Sequence, residues 1–377
     1  QDLEGFAVDL YKQFNIGSTS HDLVYGFESE EASYSRPKDR YETNLITGEI
    51  NRVFFGPEVF PNKAFPDSEV VRDAFYFSDR ISLSESTTFV FGLRHDNYEQ
   101  KAIVDSLSAA GNPANHPLLP REDSETSLKL GVIQDLSDVV SVFAQVAEGY
   151  RNPDFTDAYN TYTNYAFGYT IIPNPDLKAE YSTGYELGLR GTKDDVKWSL
   201  VLFKNNFKDF IDSNLYSLPP VNGVLQVRYE NLESVRTKGV EFEIRRNISE
   251  TLSSFAGFAL NESDNLINES ITPDQLKYGL SHISKSGNVS TNYVMTYTAD
   301  SPRLPPIVGR SGSTPAVFAP RSITHDVFMD LDLSENFDLR LGIRNITDEK
   351  YWDWVSVAGL AEGTAQQYLN PGTNLSL

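Results

Sequence analysis

Apolar and polar residues alternate one by one over much of this chain. Between 181 and 189 the odd positions are Tyr181, Thr183, Tyr185, Leu187 and Leu189. The even positions are Ser182, Gly184, Glu186 and Gly188, followed by Arg190. The same period of two runs through 240–245 (Val240, Phe242 and Ile244 against Glu241, Glu243 and Arg245). It recurs in 327–333 (Val327, Met329, Leu331 and Leu333 against Phe328, Asp330 and Asp332) and in 337–344 (Phe337, Leu339, Leu341 and Ile343 against Asp338, Arg340, Gly342 and Arg344). Successive side chains of a strand point to opposite faces, so this pattern predicts strands with one apolar and one charged face.

About 15 such segments are predicted, near 3–15, 21–33, 68–83, 86–99, 123–135, 139–150, 181–192, 196–212, 224–246, 251–263, 274–283, 289–299, 321–333, 337–349 and 368–377. Their connections alternate in length. Short ones fall near 15–20, 83–86, 136–138, 193–195, 247–250, 284–288 and 334–336. Long ones fall near 34–67, 100–122, 150–180, 213–223, 264–273, 299–320 and 350–367. In an antiparallel sheet this gathers every long loop at one end, the layout of bacterial outer-membrane barrels. Irregular loops of this length are uncommon in compact domains and are usually functional. The expected fold is all-β, an antiparallel transmembrane β-barrel, with no composition break to divide residues 1–377.

Composition narrows the choice. The chain has 377 residues, 32 Lys plus Arg against 53 Asp plus Glu, and a formal net charge of -21. That balance argues against a nucleic-acid partner, which needs clustered cations. There is no Cys, which removes thiol nucleophiles and Cys-based zinc sites. With 23 Phe and 20 Tyr the chain is not expected to be disordered. No window approaches the roughly 18 to 20 apolar residues of a membrane helix, a test that strands of a barrel do not have to meet. The start, Gln1-Asp2-Leu3-Glu4, carries no secretion signal, so the signal was removed or the sequence begins partway along a longer chain.

Five stretches stand out, in this order. They are Glu148-Gly-Tyr-Arg-Asn-Pro-Asp-Phe155; Asn174-Pro-Asp-Leu-Lys-Ala-Glu180, leading to Tyr185-Glu-Leu-Gly-Leu-Arg190; Phe207-Lys-Asp-Phe-Ile-Asp212; Tyr229-Glu-Asn-Leu-Glu-Ser-Val-Arg-Thr-Lys-Gly-Val-Glu241; and Gly342-Ile-Arg-Asn-Ile-Thr-Asp-Glu-Lys-Tyr-Trp352. Together they resemble the TonB-dependent outer-membrane receptors. Arg151 and Pro153 match one box of that family. Asn174, Pro175, Leu177 and Glu180 match a second, with Glu186 in the strand that follows. Gly239 and Glu241 match a later strand, and Asn345, Asp348 and Tyr351 the penultimate one. The resemblance implies a barrel of about 22 strands with an amino-terminal plug. On that basis the chain is about the last 15 strands, the C-terminal portion of the barrel domain, with plug and TonB box outside it. A complete smaller barrel would be odd-numbered and leave unpaired edges in lipid.

The boxes also have an architectural reading. Pro153, Pro173 and Pro175 cannot donate to a ladder and so end strands at a loop base, while Asn174 and Asp176 favour turns.

The resemblance is strongest to the haem and haemoglobin branch, which implies a His ligand between the two boxes. Residues 151–180 contain no His, but they do contain Tyr159, Tyr162, Tyr165 and Tyr169. A phenolate holds ferric haem iron, aromatic rings stack on a porphyrin or catecholate, and Tyr is also an ordinary rim residue. His116 is the one imidazole in a long loop. His95 is placed at an outer strand end, His21 and His282 beside short turns, and His325 in a strand. Tyr351, Trp352 and Trp354 are read as an interfacial aromatic girdle or as stacking residues.

No P-loop, dinucleotide fingerprint or His-Glu-x-x-His is present, and no enzyme is expected. The resemblance implies a receptor that captures an iron chelate at extracellular loops: haem or haemoglobin-haem, alternatively a ferric siderophore. No cofactor is intrinsic. The implied partners are the TonB–ExbB–ExbD system, acting through the missing amino-terminal part, outer-membrane lipid, and the chelate or a haem-carrying protein. The charged face, Glu186, Arg190, Glu241, Glu243, Arg245, Arg340 and Arg344, is expected to contact the plug. A passive porin and a soluble all-β binding module are the other classes that fit the alternation.

Overall fold

The computed structural model describes residues 1–52, 60–112, 114–165, 168–212, 216–221, 223–264, 271–304, 306–309 and 312–376. Parts of several expected long connections, 53–59 and 265–270 among them, lie outside the described residues.

Fifteen strands form one sheet in chain order. They are β1 (Asp2–Ile16), β2 (Thr19–Tyr34), β3 (Asp67–Ser82), β4 (Thr87–Ile103), β5 (Arg121–Ser137), β6 (Val140–Arg151), β7 (Glu180–Lys193), β8 (Val196–Ile211), β9 (Asn231–Asn247), β10 (Leu252–Ser263), β11 (Gln275–Ile283), β12 (Val289–Thr298), β13 (Ser322–Ser334), β14 (Phe337–Arg344) and β15 (Asn374–Ser376). Short turns follow the odd-numbered strands and long connections the even-numbered ones. At the turns Gly17 (φ 60°) and Asp194 (φ 49°) adopt the left-handed conformation that tight hairpins need.

Three boundaries differ from the periodicity. The segment 224–246 is two strands, because Val224–Arg228 leaves the main sheet and pairs with Tyr216–Val221 and Tyr169–Ile171 instead. The strand at 337–349 ends at Arg344, since Asn345 turns at φ 50°. The segment 368–377 contributes only Asn374–Ser376 to the sheet, and residues before it form short helices. No described helix is long and apolar enough to cross a membrane.

The chain divides into two compact units. The first comprises Gln1–Gly131, Val146–Thr183 and Asn206–Ser234. Here the register puts Asp9 opposite Gly26, Gly26 opposite Tyr76, and Tyr76 opposite Arg94, all on one face. On that face Arg94 reaches Glu28 at 2.6 Å and Asp96 at 2.9 Å, and Arg72 reaches Asp96 at 2.9 Å. The Tyr76 hydroxyl crosses Gly26 to donate to Asp9. The other face is apolar. Phe6, Phe27 and Phe75 line up with ring centres 5.7 and 4.7 Å apart. Phe6 and Phe75 remain 60 and 56 % exposed, an arrangement suited to lipid rather than water. Beyond the strands, a rim sheet runs Tyr216–Val221, Val224–Arg228, Tyr169–Ile171, Thr163–Asn164. Two short helices, Ser106–Gly111 and Phe155–Tyr159, complete it. Phe65, Ala158 and Tyr159 form a small core there with Ala64, Ala102, Leu118 and Phe155.

The second unit comprises Val132–Gln145, Gly184–Asn205 and Val235–Leu377. Tyr185 and Leu187 are exposed on the apolar face. On the other face Gln145 donates to Glu186 at 2.6 Å, Arg245 pairs with Glu243, and Arg340 with Asp330. Its own small core is built from Val317, Ala319, Trp354, Val357 and Ala365.

Candidate functional site

The two boxes of the first unit meet at the feet of the 152–179 connection. Arg151 is the last residue of β6 and Glu180 the first of β7. Arg151 Nε and Nη2 donate to the two Glu180 carboxylate oxygens at 2.9 and 3.1 Å, a bidentate pair. Glu180 Oε2 also accepts from the Ile211 backbone N–H at 3.0 Å, so the end of β8 is tied to the same carboxylate.

Pro153 follows, and its carbonyl accepts from the fully buried Gln100 amide at 3.1 Å, while Gln100 Oε1 accepts from Phe155 N–H at 3.2 Å. Asp154 then caps the helix Phe155–Tyr159, accepting from Thr156 and Asp157 N–H. Asp157 sits on that helix with its carboxyl pushed up to about 6 by burial and by the neighbouring Asp154.

The second box is held by its own amides. Asn174 is buried. Its Nδ2 donates to the Tyr229 carbonyl at 2.9 Å and its Oδ1 accepts from Asp176 N–H at 3.1 Å. Leu177 is buried beside it, and Lys178 exchanges hydrogen bonds with Asn231. Asn231 Nδ2 also donates to the Asp209 carbonyl. Arg151, Pro153, Asn174, Pro175, Leu177 and Glu180 are therefore brought together as one loop base. Gln100 and Asn231 belong to it as well: Asn231 is the asparagine of the Tyr229–Glu241 stretch, whereas Gln100 lies outside the sequence motifs, since an isolated amide in a strand carries no sequence signal.

The four tyrosines have different surroundings. Tyr159 is 2 % exposed, and its hydroxyl donates to the Gln100 and Leu119 carbonyls at 3.2 and 3.0 Å. Burial pushes its phenol up to about 12. Tyr162 is half-buried, with the Lys38 ammonium 4.6 Å from its ring centre. Tyr165 is 38 % exposed, and Tyr169 pairs with Leu225 and Asn164 in the rim sheet. His116 is half-buried in the 104–120 loop, where its backbone exchanges hydrogen bonds with the Asn112 side chain. Burial lowers its imidazole below the usual range and keeps it neutral. That loop is fastened by Lys63, which ion-pairs with Asp67 and Asp105. Asp105 also caps the helix Ser106–Gly111, and the hydrogen bond from Lys63 holds its carboxyl down at about 2. Gly111 is required at the end of this helix, since a Cβ would stand 2.0 Å from the Lys63 carbonyl.

In the second unit Glu186 accepts from Gln145, and Gly239 leaves room for the Phe203 ring, which a Cβ would meet at 2.4 Å. Glu241 lies two residues from Glu243 on the charged face. Asn345 is 3 % exposed. Its Nδ2 donates to the Glu349 and Pro371 carbonyls, and its Oδ1 accepts from Glu349 N–H. Asp348 accepts from Thr373 N–H, so the turn after β14 grips the approach to β15. Tyr351 is half-buried there. Trp354 is not part of an interfacial girdle: it is 2 % exposed, packed on Val317, Val357 and Ala365, and Trp352 donates to the Ala365 carbonyl at 2.8 Å. Among the described residues no group of three or more His, Asp or Glu is placed to hold a metal ion.

Comparison with known proteins fits this arrangement. A family model described as TonB dependent receptor-like, beta-barrel, matches residues 2–346. The hemoglobin and hemoglobin-haptoglobin-binding protein A of Haemophilus influenzae is 23% identical over 87% of this chain and 31% of its own length. A probable TonB-dependent siderophore receptor of Acinetobacter baumannii, PirA, is 27% identical over 39% of this chain and 18% of its own length. Among solved structures, the copper transporter OprC superposes with a TM-score of 0.71 at 17% identity, covering 99% of this chain and 55% of that one. A ferric enterobactin receptor of Pseudomonas aeruginosa superposes at 0.68 and 16% identity, covering 98% and 52%. The chain thus spans about a third of that Haemophilus relative and about half of these solved chains. From the sheet, the two boxes and the match over 2–346, this chain belongs to the family of TonB-dependent receptor β-barrels of the Gram-negative outer membrane.

Proposed function

We propose that residues 1–377 form the C-terminal portion of the barrel domain of an iron-chelate receptor. The receptor captures haem, free or carried by haemoglobin, at its extracellular loops and delivers it to the periplasm. The TonB–ExbB–ExbD system supplies the force, acting on parts of the receptor outside this chain. The barrel contributes a lipid seal, a charged inner wall and a selective mouth, and no covalent chemistry. Glu186, Arg190, Glu241, Glu243, Arg245, Arg340 and Arg344 serve as wall charges toward the plug. The observation that carries this reading is the loop base. Arg151, Glu180 and Asn174 clamp a tyrosine-bearing loop at its feet. The likeness to a haemoglobin-binding receptor over 87% of the chain supports haem as the cargo.

A ferric siderophore is the second reading. It is favoured by the absence of His between the boxes and by the likeness to siderophore receptors. Titration of the full-length receptor in detergent with ferric haem separates the two. A saturable one-to-one Soret shift is expected. Folded receptor that gives no shift, and instead quenches with a ferric catecholate, moves the cargo to siderophores.

A further inference from the structure

One cleft of the first unit lies beside the loop clamps and shares Asn174 with them. It has a volume of about 240 Å³ and lies between the start of β5 and the second box, lined by Pro117, Leu119, Arg121, Asp123, Tyr159 and Asn174 among others. Pockets that enclose a whole small ligand run from roughly 300 Å³ upward, so this one suits a single limb of a larger molecule.

Its one lining arginine is incompletely satisfied. The Arg121 side chain is 14% exposed, and its Nη2 is 3.7 Å from Asp123, beyond hydrogen-bonding distance. Arg121 Nε is buried and has no acceptor, and Asp123 Oδ2 is buried and has no donor. The other arginines of this unit's described network, Arg72, Arg94 and Arg151, each hold a carboxylate within 2.9 Å. A buried charged donor without an acceptor is costly, and an incoming anion removes that cost. Tyr159 does not compete for it, because its hydroxyl is committed to two carbonyls. Asp123 and Glu122 line the same cleft and oppose a heavily anionic ligand, so the site favours one carboxylate on an apolar stem.

Resting on the haem reading above, we propose that Arg121 receives one carboxylate arm of the captured haem in this cleft and is a specificity-determining residue of the receptor. The stem of the arm packs on the prolines and Leu119, and the guanidinium takes the carboxylate by charge-assisted hydrogen bonds in the planar, forked geometry that Arg provides and Lys does not.

The test uses the full-length receptor in detergent, titrated with ferric haem and with its dimethyl ester, in which both carboxylates are masked. Arg121→Gln is expected to raise Kd for haem about tenfold and to leave Kd for the ester unchanged, with Arg121→Lys between the two. An unchanged haem Kd in Arg121→Gln overturns the proposal. So does an equal loss for haem and ester, which would mark Arg121 as structural. Wild-type receptor that binds the ester as tightly as haem removes the carboxylate contact and leaves the haem reading standing. Wild-type receptor that binds neither overturns the haem reading and this assignment with it. Heat-modifiable gel migration monitors folding, and Arg121→Lys decides with the same two ligands if Arg121→Gln does not assemble.

Discussion

The Lys63 ammonium lies 2.7 Å from the Asp105 carboxylate, and Asp67 lies equally close on its other side. Lys63 is 4 % exposed, so one buried cation ties the connection after β2 to the start of β3 and to the helix of the next connection. Replacing it by an apolar residue leaves two partly exposed carboxylates without their counter-charge, a loss on the order of 1 kcal/mol. Lys63→Met is expected to open the 104–120 loop to thermolysin, which cuts before apolar residues such as Leu107 and Leu118, with Asp105→Asn milder because its amide oxygen still caps the helix. Protease resistance equal to wild type would mean the lock is dispensable.

Asp157 gives the rim a pH dependence. Burial first and Asp154 second raise its carboxyl from 3.8 to about 6. The folded state therefore holds this proton more tightly than the unfolded one. The resulting stabilisation is complete below the unfolded value of 3.8 and is lost as pH rises through about 6. Asp157→Asn, which never ionises, is expected to be more stable than wild type at about pH 7.5 and equal to it at about pH 3.5. The gain is about 1 kcal/mol once solvent screening is allowed for. Thermal unfolding at the two pH values measures it, and a gain at acid pH alone contradicts the sign.

The Arg151–Glu180 pair has unequal members. Arg151 is half exposed, whereas Glu180 is 13% exposed and also accepts from Ile211 N–H. Arg151→Ala is expected to cost about 1 kcal/mol and Glu180→Ala about twice that, since a buried backbone donor is then left unpaired. Hydrogen exchange at the Ile211 amide distinguishes them: faster in Glu180→Ala, near wild type in Arg151→Ala.

Asn345 combines φ 50° with three side-chain hydrogen bonds. Asn345→Ala loses the bonds and strains the backbone, about 3 kcal/mol together. Asn345→Gly keeps the conformation and loses only the bonds, so it is expected to be the milder variant. Heat-modifiable migration of the full-length receptor ranks them, and an equal effect would remove the backbone part of the argument.

The strands were legible because their physics is local. A period of two with charged residues on one face survives in any window, as at Glu186 and Leu187, and the turns announce themselves through Gly17 and Asp194. What was not legible depends on distant partners. The alternation changes phase between Tyr229 and Val240, from apolar odd positions (Leu225, Val227, Tyr229) to apolar even ones (Val240, Phe242, Ile244); that hints at a break, but nothing local says that Val224–Arg228 pairs with Tyr169–Ile171 instead of continuing into β9. The box residues could be located but not paired: Arg151 and Glu180 are 29 positions apart, and only the return of the chain brings them together. Tyr159 illustrates the limit most clearly. As a letter it equals Tyr165, yet a five-residue helix capped by Asp154 turns it into the rim core and leaves Tyr165 outside.

The clamp at Arg151 and Glu180 also bears on how such receptors diversify. It fixes the separation of the two loop feet, whatever lies between them. Closing a longer loop costs only a logarithm of its length once the ends are held. Insertions and exchanges near Tyr165 therefore leave the register of the strands below untouched. On the reading proposed above, a receptor that keeps these two residues keeps its wall while the loop they hold is changed.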